Sequence, residues 1–114
     1  YAPVVGLFKR QKEAGSPMTI VGDGSQKRDF TYIDDVVSAN IMSAESNILG
    51  NRVYNIGTGE SISINELAGL VGSNVMYIEK RPAEVYETLA DIRLTVKELN
   101  WSPKYSIREK INEY

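Results

Sequence analysis

Arg28 sits among residues that together suit an anion. A glycine loop, Gly22-Asp23-Gly24, precedes it, and Phe30 and Tyr32 follow at every second position. In an extended segment over 28–33 that spacing puts Arg28, Phe30 and Tyr32 on one face, with Asp29, Thr31 and Ile33 on the other. A planar guanidinium can meet a phosphate in two-point contact. The same arginine could instead be a surface cation paired with Asp29 or Asp35, and the pattern alone leaves both roles open. Arg81, between Lys80 and Pro82, is a second candidate. An irregular loop can carry such a residue over a site, and a solvated loop charge is the alternative. Asn55 lies at the end of a β-forming run, where ligands of open α/β sheets gather, or it serves structural hydrogen bonding. Glu84 and Asp91 are acids near Arg81, Asp91 being the better helix cap. Val21 and Tyr32 could flank a planar base, with core packing as the competing role.

Other chemistry is excluded by composition. The 114 residues include no histidine and no cysteine, so serine–histidine nucleophiles, histidine-ligated zinc, thiolate sites and disulfides are impossible within them. Thirteen basic and fifteen acidic residues give a net charge of −2, well mixed. That argues against nucleic acid as a partner, which needs a basic surface. No apolar run approaches the roughly 20 residues that cross a bilayer, and no signal peptide is visible, so no membrane partner is expected. Gly57-Thr58-Gly59, with a strand before it and a helix, a strand and Glu79 after it, superficially matches a dinucleotide fingerprint. It fails in detail. The third glycine would fall at Ile62, and the next helix starts only at Ser63. A strand-to-helix turn is expected instead.

The elements that must position these residues follow from periodicity and caps. Pro3 opens a helix whose Val4, Leu7 and Phe8 share a face, and Gly15 stops it. Residues 18–21 read as a buried strand, 28–33 as a second and 52–56 as a third. A helix over 35–46 begins at Asp34-Asp35, which complement its dipole, and turns Val37, Ile41 and Ala44 inward. Ser63 and Glu66 have capping-box spacing, with Ile62 and Leu67 as a hydrophobic staple; that helix ends near 69–72. Residues 75–79 form a strand and 80–87 an irregular loop. Asp91 caps a helix with Ile92, Val96 and Leu99 inward. Trp101 packs beneath its end, and Ser106 with Glu109 starts a last helix. The expected fold class is α/β, a small mixed sheet with surrounding helices. The chain opens on Tyr1, not methionine, and stops as its last helix begins. A piece of a longer protein is therefore expected.

Five ordered blocks carry a resemblance: 17–36 (PMTIVGDGSQKRDFTYIDDV), 53–59 (VYNIGTG), 81–84 (RPAE), 89–92 (LADI) and 99–103 (LNWSP). They resemble the carboxyl-terminal, substrate-binding part of the NAD-dependent nucleotide-sugar epimerase/dehydratase family, which are extended short-chain dehydrogenases/reductases. The resemblance covers essentially the whole chain and implies one substrate-binding domain over 1–114. The NAD site would lie in an amino-terminal Rossmann domain with a Gly-x-x-Gly-x-x-Gly loop, absent here. Catalysis in the family uses a tyrosine and the lysine of a Tyr-x-x-x-Lys pair. Four places after Tyr1, Tyr32, Tyr54, Tyr77, Tyr86 and Tyr105 stand Val5, Val36, Thr58, Arg81, Ala90 and Glu109. The chain alone is expected to be inactive.

By position, the resemblance makes Arg28 and Arg81 the arginines on a nucleotide diphosphate. Glu84 becomes an acid on the ribose, Asn55 a contact at the sugar-diphosphate end, and Val21 a wall for the base. The implied partner is a nucleotide-diphosphate sugar. The implied reaction is most like a UDP-sugar 4-epimerase, with a 4,6-dehydratase, a reductase or a non-catalytic binding module as alternatives. A cytoplasmic enzyme that dimerises through the missing domain is expected. One departure stands out: many members carry glycine at Ala83 and arginine at Tyr86. Tyr86 could stack on ribose or base.

Overall fold

The computed structural model describes residues 3–114. Pro3, at φ −55°, precedes helix α1, Val4–Glu13. Its fixed φ is preset for a helix start. Arg10 and Lys12 occupy the last turn, where cations oppose the negative end of the helix. Gly15 then turns the chain at φ +72°. The buried face of α1 is Val5 and Phe8; Val4 and Leu7 are only half-buried and border a cleft. The face is thus rotated from the expected one.

Strand β1, Met18–Val21, alternates buried Met18 and Ile20 with half-buried Thr19 and Val21. It pairs in parallel with β4, Val75–Ile78, with Met18 opposite Val75 and Val21 opposite Ile78. Parallel strands need a long crossover, and here it runs over residues 22–74. Strand β2, Lys27–Arg28, pairs antiparallel with β3, Ile62–Ser63, with Arg28 opposite Ile62. The α/β class with a small sheet and covering helices holds, its parallel and antiparallel pairings divided between two ribbons. The main core lies between them and α1. It includes Phe8, Met18, Ile20, Ile62, Leu67 and Ile107.

Helix α3, Ile64–Val71, starts as its cap predicts: Ser63 Oγ accepts the Glu66 N–H at 3.0 Å. Glu66 does not complete the capping box. Its carboxylate meets Arg108 at 2.6 Å instead. The short helix α5, Ile107–Lys110, is capped by Ser106 and continues into a 3₁₀ turn, Ile111–Glu113.

Two expected strands are not regular. The strand over 28–33 ends at Arg28, because the Asp29 carboxylate is held by backbone amides of residues 58, 59 and 90. Arg28, Phe30 and Tyr32 therefore share no strand face. The run 52–56 forms no strand. Among the described residues no backbone–backbone hydrogen bond joins it to a neighbour.

Helix α2, Ile33–Glu45, also reverses its expected face. Asp35 and Ala39 are buried, whereas Val37 and Ile41 are about half exposed and Ala44 is exposed. Trp101 explains the choice. Its indole is buried, belongs with Ala39 and Leu99 to a second, smaller cluster, and donates its Nε1–H to Ser38 Oγ at 2.9 Å. In helix α4, Arg93–Leu99, the inward residues are Thr95 and Leu99, and Val96 is exposed. Thr95 donates its hydroxyl to the Asn55 carbonyl at 2.6 Å. The helix ends on Asn100 in the left-handed region, φ +54°.

Candidate functional site

Two adjoining cavities open where β1 ends and the loop 80–87 passes over it. One, of about 400 Å³, is lined by Val21, Arg28, Arg81, Glu84 and Thr88 among others. The second, of about 360 Å³, shares Val21, Gln26 and Glu84 and adds Gly22, Lys80 and Tyr86. Four of the five candidate residues thus surround one cleft. Asn55, the fifth, lines neither cavity. Its side-chain amide donates to the Asp91 carbonyl at 3.2 Å. Tyr32 is also elsewhere, packed between Tyr105 and Tyr114 with its hydroxyl on Glu113 at 2.8 Å. That hydrogen bond raises the Tyr32 phenol above its ordinary range.

Arg28 is positioned by carbonyl oxygens. Its Nη1 donates to Lys27 O at 2.7 Å and to Tyr86 O at 3.4 Å. Its Nη2 lies 3.9 Å from Glu84 Oε1, a loose ion pair, and the side chain is 24% exposed. Neither surface partner that the sequence offered is engaged. Asp29 faces the amides of Thr58, Gly59 and Ala90, and buried Asp35 accepts from Lys104 N–H and Tyr105 N–H. With both acids spoken for, Arg28 is left to line the cleft that Arg81 also lines.

The loop bearing Arg81 and Glu84 is tied down beyond them. Lys27 N–H donates to Tyr86 O at 2.7 Å, and Thr88 N–H donates to Lys27 O at 3.1 Å. This bridge fixes the spacing between Arg28 and the loop. Ala83 holds φ +61° at its bend. A left-handed backbone costs an L-residue about 1–2 kcal/mol, which gives a physical reason for a glycine there. Asp91 does cap the α4 end, one residue early: its Oδ1 accepts the Arg93 N–H at 3.2 Å. The Arg93 guanidinium, 2.7 Å from Oδ2, holds the Asp91 carboxyl down at about 2.

Two residues of the site were missed from sequence. Gln26, nearly buried, donates its Nε2 to Val21 O at 2.8 Å and so supports the wall between the cavities. Asp29 anchors the turn at 57–59. Its position beside a candidate arginine was the available signal, and that signal read as an ion pair.

Comparison with known proteins bears on what such a cleft is for. Residues 3–57 match the model of the NAD dependent epimerase/dehydratase family. The chain is 43% identical over 100 residues to a UDP-glucuronate 4-epimerase of Thermodesulfobacterium geofontis, covering 82% of this chain and 30% of that enzyme. Its fold superposes on UDP-glucose 4-epimerase of Thermotoga maritima, solved with UDP-glucose, with a TM-score of 0.86 and 33% identity over 96% of this chain and 37% of that one. It also matches UDP-glucuronic acid 4-epimerase of Bacillus cereus, solved with NAD, at a TM-score of 0.80 and 31% identity, over 96% of this chain and 36% of that one. The chain belongs to the NAD-dependent epimerase/dehydratase family.

The chain spans 30 to 37% of the length of these relatives. Its one glycine turn of dinucleotide type does not fit the family's cofactor. The N–H groups of Thr58 and Gly59, which would have to face a pyrophosphate, donate to the Asp29 carboxylate at 2.9 and 3.0 Å. An acid occupies the place of the anion. A Cβ at Gly57 would collide with Ala90 and Asp29, so that glycine serves close packing. No helix among the described residues is long and apolar enough to cross a membrane.

Proposed function

We propose that this chain is the nucleotide-diphosphate-sugar-binding portion of an NAD-dependent sugar-nucleotide epimerase, most like a UDP-sugar 4-epimerase. The observation that carries the reading is the cleft in which Arg28, Arg81, Glu84 and Val21 meet, in a chain similar over most of its length to UDP-sugar 4-epimerases. Arg28 and Arg81 hold the diphosphate by charge-assisted hydrogen bonds, each contributing about 1.5–3 kcal/mol. Glu84 accepts from ribose hydroxyls, and Val21 lies against the base. Asn55 reaches the sugar-diphosphate end only if its bond to the Asp91 carbonyl opens.

NAD, bound by residues outside these 114, supplies the hydride chemistry. With no Tyr-x-x-x-Lys pair, this chain positions the substrate and does not turn it over. The whole enzyme is a cytoplasmic homodimer in this reading. The test is titration calorimetry of a UDP-sugar against the complete protein and its Arg28→Ala variant. The expected loss of affinity is roughly tenfold to a hundredfold. Unchanged affinity overturns the assignment.

A further inference from the structure

We propose that Tyr86 is the stacking wall of the nucleobase subsite, an inference that rests on the nucleotide-sugar reading above. The two cavities differ in chemistry and share a border. The 400 Å³ cleft holds Arg28 and Arg81, with Leu7, Phe30 and Ile78 on its apolar side. The 360 Å³ cavity holds no arginine; its sides include Val21, Val85 and Tyr86, with Lys80 and Asp23 also on its lining. Glu84 belongs to both. Going from one to the other, the two guanidiniums are left behind, a carboxylate is shared, and the Tyr86 ring appears with Val85, beside Gln26, Asp23 and Lys80. A nucleotide presents the matching groups in that order: an anion, a diol that donates hydrogen bonds, and a flat ring. The arginines fix the direction, so the base falls to the cavity that contains Tyr86.

Tyr86 has the properties of a stacking residue. Its backbone is immobilised, because its carbonyl accepts from Lys27 N–H and from Arg28 Nη1. Its side chain is not used by the fold. It is 62% exposed, belongs to neither hydrophobic cluster, and its hydroxyl makes no hydrogen bond among the described residues. A rigid anchor under an uncommitted aromatic ring at a cavity edge lets a base stack with little ordering cost. The bond from Arg28 to the Tyr86 carbonyl also sets the distance between the phosphate grip and the ring.

The experiment measures UDP and inorganic pyrophosphate binding to the complete protein and to its Tyr86→Ala, Tyr86→Phe and Arg28→Ala variants by calorimetry. Tyr86→Ala is expected to weaken UDP about tenfold, in line with stacking on a single aromatic, and to leave pyrophosphate unchanged. Tyr86→Phe keeps the ring and retains UDP affinity within about twofold. Arg28→Ala weakens both ligands. If Tyr86→Ala binds UDP as the parent does while Arg28→Ala does not, the stacking role is overturned and the nucleotide-sugar reading stands. If Tyr86→Ala weakens UDP and pyrophosphate equally, Tyr86 acts on the phosphate end and the inference also falls. If the parent binds neither ligand, or Arg28→Ala changes neither, the nucleotide-sugar reading itself fails.

Discussion

At the scale of single residues, Asp29 shows how the site is held in place. Its Oδ1 accepts from the Thr58 hydroxyl at 2.6 Å and the Thr58 N–H at 2.9 Å. Its Oδ2 accepts from Gly59 N–H at 3.0 Å and Ala90 N–H at 3.2 Å. One carboxylate thus joins three segments that are far apart in sequence, directly beside Arg28. In Asp29→Asn one oxygen becomes an NH₂ group and faces these donors. The unmet amides are expected to cost about 1–3 kcal/mol, read as a lower urea midpoint at unchanged slope. A change below about 0.5 kcal/mol, the level of an ordinary surface substitution, means that water replaces the carboxylate. This network could not be read from sequence. Its partners lie 29 to 61 positions away, and an Arg-Asp neighbour pair looks the same whether or not the two interact. Arg28, Arg81 and Glu84 could be singled out from sequence because their family blocks are short and contiguous, and the structure brings all three to one cavity.

At the scale of elements, signals that act within one turn came through and signals that depend on a distant partner did not. Ser63 and Ser106 cap their helices as the spacing requires. β1 and β4 form from short apolar runs. The two-residue pairing of Lys27–Arg28 with Ile62–Ser63 has no local mark, since each half is too short to show a period. The run 52–56 has strand composition without a strand to pair with, and Val53 is 88% exposed. In α2 the side with the larger apolar residues, Ile33, Val37 and Ile41, faces out, and the side with Asp35, Ser38 and Ala39 faces in. Hydrophobic periodicity selects the bulkier stripe, while Trp101 requires small residues opposite its ring. Two substitutions separate these arrangements. Val37→Lys is expected to change stability by no more than about 0.5 kcal/mol. Ala39→Lys forces a long charged chain into the Trp101 cluster and is expected to cost at least about 2 kcal/mol. The reverse ranking in denaturant titrations would mean that the helix is turned the other way.

At the scale of the whole molecule, the chain is long and unevenly filled. Its extents are 50 × 29 × 21 Å and its radius of gyration is 16.4 Å, against about 13 Å for a compact domain of this length. Among the described residues the larger cluster has eleven buried members, from Val5 to Ile111, and the smaller has three, Ala39, Leu99 and Trp101. Polar ties span the molecule: Asp29 reaches the 58–59 turn and Ala90, and Asp35 reaches the amides of Lys104 and Tyr105. Burial of apolar area is the dominant favourable contribution to folding, so the smaller cluster is expected to open at lower free energy than the larger. The chain carries its own reporter, since Trp101 is the single tryptophan and lies in the smaller cluster. In urea, Trp101 fluorescence should change at a lower midpoint than far-UV ellipticity, and amides of β1 and α3 should be the slowest to exchange. Coincident midpoints with uniform protection would show that the Asp29 and Asp35 ties make the two clusters one cooperative unit. The arginine cleft would then unfold with Trp101. Separate transitions would leave β1 and the Lys27 bridge, and with them the arginine cleft, standing after the Trp101 cluster has opened.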